Sequence, residues 1–135
     1  MRFTSLVIAL AATAATACAD VGPDPIAAFA GDYALTRING AAVPTVAEQS
    51  DAGTLEIVSG SLILTVDGAY IGAVHSRWTD PSGTELQADQ SVGTFFINGN
   101  GLTFRDEDGK YYAASVKADT ITATYEDIIL EFVKR

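Results

Sequence analysis

The feature that most constrains this chain is its punctuation. From Gly31 onward, β-prone runs of four to fourteen residues are cut by Asn39-Gly40, Ser59-Gly60, Asp67-Gly68, Asp80-Pro81-Ser82-Gly83, Asn98-Gly99-Asn100-Gly101 and Asp106-Glu107-Asp108-Gly109. Such dipeptides supply the positive φ angles that tight hairpins require. The runs between them cover 32–38, 54–58, 61–66, 69–79, 84–97, 102–105, 110–117, 120–125 and 128–134. After Ala30 no segment keeps a 3.6-residue apolar period over ten residues, and 43–50 is the one stretch expected to hold a helical turn. Short connections make sequence neighbours pair, which predicts an antiparallel meander. Eight or nine strands in so few residues must hide their edges. The expected fold is all-β, a small up-and-down antiparallel barrel, with a β-sandwich as second choice.

Alternation then sorts the side chains. Leu62, Leu64 and Val66 share one face, and Tyr33, Leu35 and Arg37 oppose Ala34, Thr36 and Ile38. Gly93 is read as a bulge or bend within the long run 84–97. Leu62, Leu64, Phe95, Ile97, Ile121, Ala123, Leu130 and Phe132 are the expected core. Tyr33, Tyr70, Phe104, Tyr112 and Tyr125 fall on expected interior positions, and Phe96 is out of phase and expected outside. An eight-stranded barrel is just wide enough to be filled by side chains or to admit one small ligand. With strands this short, a filled core is the favoured outcome.

The first thirty residues read differently. Arg2 precedes the apolar stretch 6–17, and small residues run up to Ala17-Cys18. A single cation, a short apolar run and small residues at the cut are the parts of a secretory signal. Twelve residues fall well short of the roughly 20 that span a bilayer as a helix. Residues 1–17 are therefore a signal peptide, 18–30 a processed N-terminus and tether containing Pro23 and Pro25, and 31–135 the barrel domain. Ile26 and Phe29 are the tether residues able to pack back onto that domain. Ala15-Thr16-Ala17 also fits ordinary signal cleavage, which would release a soluble secreted protein.

Ala15-Thr16-Ala17-Cys18 resembles the lipobox of bacterial lipoproteins. That resemblance implies diacylglycerol on the Cys18 sulfur, cleavage before it and acylation of the new amine. Cys18 is the only cysteine, so a role as lipid attachment site accounts for a thiol that has no partner. Two or three acyl chains anchor stably where one does not. In enteric-type lipoproteins an Asp directly after the Cys implies retention in the inner membrane. Here that place holds Ala19, so a lipid anchor in the outer membrane of a bacterial cell envelope is the expectation.

The domain itself resembles the small lipocalin-like barrels found in bacterial lipoproteins. The resemblance lies in Tyr33-Ala34-Leu35 ahead of Ile38-Asn39-Gly40 with Pro44 following, and in Ser59-Gly60-Ser61-Leu62 before Asp67-Gly68-Ala69-Tyr70. It continues in Gly93-Thr94-Phe95 before Asn98-Gly99, then Asp108-Gly109, Ile121-Thr122 and the closing Phe132-Val133-Lys134-Arg135. These are turn and core positions, so the resemblance implies a fold and no particular substrate. The Gly-x-Trp signature of true lipocalins is absent, since the one tryptophan, Trp78, stands in mid-chain.

Composition narrows the chemistry. A net charge of −9 excludes a nucleic-acid partner, which would demand a basic surface. One histidine and one cysteine leave no His or Cys cluster for a metal site. His75 and Trp78 are three apart on one strand and face opposite sides, with Tyr70, Val74 and Trp78 inward and His75 and Arg77 outward. A single outward histidine is expected to be a solvated surface residue. Ser76 and Ser91 have no activating motif around them. Asp106-Glu107-Asp108-Gly109 lacks the twelve-residue calcium-loop spacing and reads as a charged hairpin turn. No catalytic set, metal site or cofactor is therefore expected.

Two functions remain. One is a non-catalytic, lipid-anchored module binding a small apolar ligand or a protein. The other is an inhibitor or assembly accessory acting through loops on a basic partner such as a lysozyme-like hydrolase. An open lumen would favour the first; a plugged barrel with a protrusion at 41–53 or 80–83 would favour the second.

Overall fold

Ten antiparallel strands account for 74% of residues 25–135, the part of the chain that the computed structural model describes. The expected signal peptide, Cys18 and most of the expected tether lie outside the described residues. The strands are β1 (Gly31–Ile38), β2 (Ala41–Ala42), β3 (Thr45–Ser50), β4 (Gly53–Leu64), β5 (Ala69–Asp80), β6 (Gly83–Asn98), β7 (Gly101–Asp106), β8 (Tyr111–Lys117), β9 (Thr120–Tyr125) and β10 (Ile128–Lys134). Each of β4 to β10 pairs with its sequence neighbour, and β1 joins β10 on one side and β4 on the other. The result is a closed eight-stranded up-and-down barrel with two extra strands, β2 and β3.

The barrel is filled. Tyr33, Leu35, Leu62, Leu64, Tyr70, Phe95, Leu102, Phe104, Ala114, Ile121 and Phe132 are buried inside it. Phe104 is the hinge of this packing, meeting Tyr70 edge-on at 5.1 Å and Phe95 at 6.2 Å, both inside the range for favourable ring pairs. Of the expected core, Leu62, Leu64, Phe95, Ile121 and Phe132 are buried, while Ile97, Ala123 and Leu130 are half-buried against them. Phe96 is exposed as expected. At one end a 3-10 turn, Pro25–Phe29, lays Ile26 and Phe29 against the core, and the Tyr33 hydroxyl donates to the Phe29 carbonyl at 2.8 Å. That turn stops the barrel's N-terminal end.

Register departs from simple alternation at three places, in β1, β4 and β3. In β1 the pairing shifts between Leu35 and Arg37, so Thr36 is the extra residue. Tyr33, Leu35 and then Ile38 consequently face inward, and Arg37 faces out toward Glu131 at 4.0 Å. In β4 the shift falls between Ile57 and Ser59. Leu55 and Ile57 before the bulge and Leu62 and Leu64 after it thereby share the inner face. A third shift, between Val46 and Glu48, bends β3. Bulges of this kind commonly sit at rims and edges.

Several sequence expectations are corrected. Ser59-Gly60 makes no turn, because 54–58 and 61–64 run on as the single strand β4. Gly60 instead admits Leu35, whose side chain would stand 2.8 Å from a Cβ there. Residues 43–50 hold no helical turn; the chain passes a cis Val43-Pro44 bond into β3. Gly93 is no bulge, since β5 and β6 pair without a shift through it. A Cβ at Gly93 would lie 2.0 Å from the Arg105 carbonyl oxygen, so close backbone approach is what requires glycine. Val66 has left the strand and is exposed, and Tyr125, at the end of β9, is exposed as well.

Candidate binding surface

Closure uses only part of the longest strands. On β4, the partner β1 covers residues 61–64. On β6, the partner β7 covers residues 93–98. Yet β4 and β5 stay paired out to Thr54 opposite Thr79, and β5 and β6 out to Asp80 opposite Gly83. The surplus of these strands, with β3 added along the outer end of β4, forms a four-stranded arm. It rises from the mouth opposite the Pro25–Phe29 turn.

Pairing register assigns the arm's two faces. Leu55, Ile57, Val74, Ser76 and Trp78 continue the inner face of the barrel, and Glu85, Gln87, Asp89 and Ser91 lie beside them on β6. Ser76 is buried there and Trp78 is half-buried. On the other face are His75, Arg77 and Leu86, with Arg77 paired to Glu56 at 3.4 Å. The expected opposition of His75 and Trp78 is thus observed, and His75 is exposed.

The tip is ordered by Asp80. Its carboxylate accepts from the Trp78 indole N–H at 3.0 Å, from the Ser82 amide at 2.8 Å and from the Ser82 hydroxyl. These donors, led by Ser82, hold the Asp80 carboxyl below the usual carboxylate range. Gly53 completes the arrangement: a Cβ there would come within 2.6 Å of the Trp78 ring. A bare backbone at Gly53 is what allows the indole to approach β4 so closely.

At the mouth, the Tyr70 hydroxyl meets Ser91 Oγ at 3.0 Å, and Tyr112 donates to Asp106 Oδ2 at 2.9 Å while its ring meets that of Tyr125 at 4.7 Å, tilted by 37°. Burial, then the bond to Asp106, pushes the Tyr112 phenol well above its ordinary value. Asp106 Oδ1 accepts the Asp108 and Lys110 amides, both at 2.9 Å. Its burial raises the carboxyl pKa, but these bonds and the Tyr112 hydroxyl together carry it below the usual range. The acidic run 106–109 is thereby a hairpin turn whose first carboxylate is occupied by its own loop. Among the described residues no three His, Cys, Asp or Glu side chains gather as a metal site.

Two small concavities lie on this surface. One of about 200 Å³ lies on the outside of the barrel between Asp32, Ser59, Ser61, Ile63, His75 and Arg135. Another of about 170 Å³ sits at the arm tip between Trp78, Asp80, Ser82, Thr84 and Glu85. Both fall below the roughly 300–1,000 Å³ of ordinary small-molecule sites.

The arm was only half visible in the sequence. Of the two suspected protrusions, 80–83 belongs to it as a hairpin tip and 41–53 only from Thr45 onward, as β3 and its turn, since Ala41–Ala42 pairs with β1. The missed signal was length: a run from 84 to 97 is longer than a barrel wall needs, and its first half, Glu85 to Gln90, contains only Leu86 and Ala88 as apolar residues. No family model, no curated protein and no solved structure matches the chain. The small closed barrel is consistent with the lipocalin-like resemblance at the level of fold.

Proposed function

We propose that this chain is a non-catalytic, lipid-anchored binding module of the bacterial envelope whose partner is a protein met by the arm. The observation that carries this reading is a four-stranded arm projecting from a filled barrel. A filled interior leaves little for an apolar ligand to enter, whereas the arm offers an accessible surface. Its charge supports a basic partner, such as a lysozyme-like hydrolase. The arm carries Glu48, Asp51, Glu56, Asp80, Glu85 and Asp89 against the single arginine Arg77. A field of one sign speeds encounter with a cationic partner and is weakened by salt. Lipid on Cys18 would fit this geometry. Cys18 stands seven residues before Pro25, at most about 25 Å of extended chain. The plugged end would then face the membrane and the arm would point away from it; Ala19 after the cysteine supports the outer membrane.

Two measurements test the reading on the full chain. Cys18→Ser should release the protein from the membrane with its fold intact, and intact mass should show diacylglycerol on the wild type. Lysozyme should bind saturably and more weakly as salt rises, while an apolar fluorescent probe should leave Trp78 emission unchanged. Saturable quenching of Trp78 by the probe, with no lysozyme binding, would return the small-ligand reading.

A further inference from the structure

We infer that the free edge of β6 is completed by strand addition, an extended partner segment of alternating cationic and apolar residues pairing along residues 84–92. This inference rests on the protein-binding reading above and specifies how the partner is held. β6 is paired to β5 without a shift from Gly83 to Thr94, but β7 joins it only from Gly93. Over the intervening nine residues one edge of β6 faces no strand among the described residues. All of 84–91 is exposed.

Native proteins usually blunt such edges with proline, lysine, a bulge or brevity. The two strands at the ends of the sheet order follow that rule. β2 is two residues long, and β3 is six residues long with a register shift at Ala47. Over residues 84–92 the β6 edge has no proline, no lysine and no shift; its guards are the acidic Glu85 and Asp89, which repel a like-charged edge and leave a cationic strand free to pair. An unpaired, regular, long edge is the template that strand addition uses.

Side chains select the occupant. Glu85 and Asp89 are four apart on one face, and neither has a cationic side chain within 4 Å among the described residues. Leu86, 73% exposed, lies on the other face. A second copy of the chain would bring the same acids into a protein already at −9, and like charges opposed across strands repel. A cationic residue opposite Glu85, another opposite Asp89 and an apolar residue against Leu86 satisfy both faces. The fitting segment therefore alternates Lys or Arg with Val or Ile.

The test uses the full chain and a labelled ten-residue peptide of alternating Lys and Val. The peptide should bind and should slow amide exchange across residues 84–92. N-methylation at every Lys or at every Val blocks one edge of the peptide or the other. One of the two should lose binding by more than tenfold while the other is tolerated, an asymmetry that charge attraction alone cannot produce. The double variant E85Q/D89N should weaken binding by about tenfold, from two cross-strand charge pairs, and an alternating Glu and Val peptide should not bind. Equal tolerance of both methylated peptides, or unchanged exchange at 84–92, overturns strand addition. If lysozyme binding then persists and still falls with E85Q/D89N, the arm remains the binding element. If lysozyme binding is absent too, both readings fail.

Discussion

The same three strands live in two environments. Within the barrel, β4, β5 and β6 contribute Leu62, Leu64, Tyr70 and Phe95, all buried. A few residues further along, the same strands carry Glu56, Arg77, Glu85, Leu86 and Asp89 at or near the surface. Pairing is unbroken across the boundary between β5 and β6. Hydrogen bonding thus sets how far these strands extend, and side chains decide which part is core and which is free to meet another molecule. Core and exposed surface are segregated along one set of strands.

Substitutions should separate the two regions by magnitude. Ile121→Ala, at a fully buried barrel position, should destabilise by about 2–5 kcal/mol in denaturant unfolding. A loss below about 1 kcal/mol would mean that the barrel is not the stabilising region. At the boundary, Gly93→Ala must move β6 away from the Arg105 carbonyl and should cost about 1–3 kcal/mol; a neutral result in thermal melts would deny the close approach of β6 and β7.

Acid sharpens the boundary further. The Asp106 carboxyl is held below its ordinary value in the folded protein, so the folded state binds fewer protons than the unfolded one. Its contribution is complete above the ordinary carboxylate pKa, about 4, and is lost as pH falls from there toward the depressed value. Asp106→Asn should therefore lower stability most at neutral pH, where that contribution is complete, and converge with the wild type in acid, flattening the acid limb of a denaturant-measured stability profile. The smallest effect is expected on the arm. Leu86→Ala should alter stability by less than about 0.5 kcal/mol while weakening partner binding; a loss comparable to that of Ile121→Ala would abolish the distinction between the regions.

What could be read from the sequence follows the same divide. Barrel architecture was legible because Asn39-Gly40, Asp67-Gly68 and Asn98-Gly99 mark real hairpins and alternation around them places Leu62, Leu64 and Phe95 correctly. The bulges were not legible. Thr36 and Val58 are ordinary β residues, and only pairing with Glu131 and Ser76 shows that one residue is surplus. Ser59-Gly60 and Gly93 were misread for a related reason: glycine marks both turns and close approaches, and the distinction depends on neighbours distant in sequence, Leu35 and Arg105. The arm escaped because free edges are defined by partners that stop early, which no local pattern reports. His75 was placed correctly, since alternation along one strand is a local property.

The seam has a further consequence, for the order of folding. Every barrel pairing but two joins consecutive strands, and the two exceptions both involve β1. β1 must hold β4 on one side and β10 on the other, and β10 is the last strand of the chain. Hairpins close in microseconds, whereas a contact spanning about a hundred residues carries a larger loop-closure entropy and forms late. The first strand synthesised is therefore expected to be the last one locked. Until Ile128–Lys134 arrives, the molecule is an open sheet, and the arm's hairpins stand formed before there is a barrel to carry them.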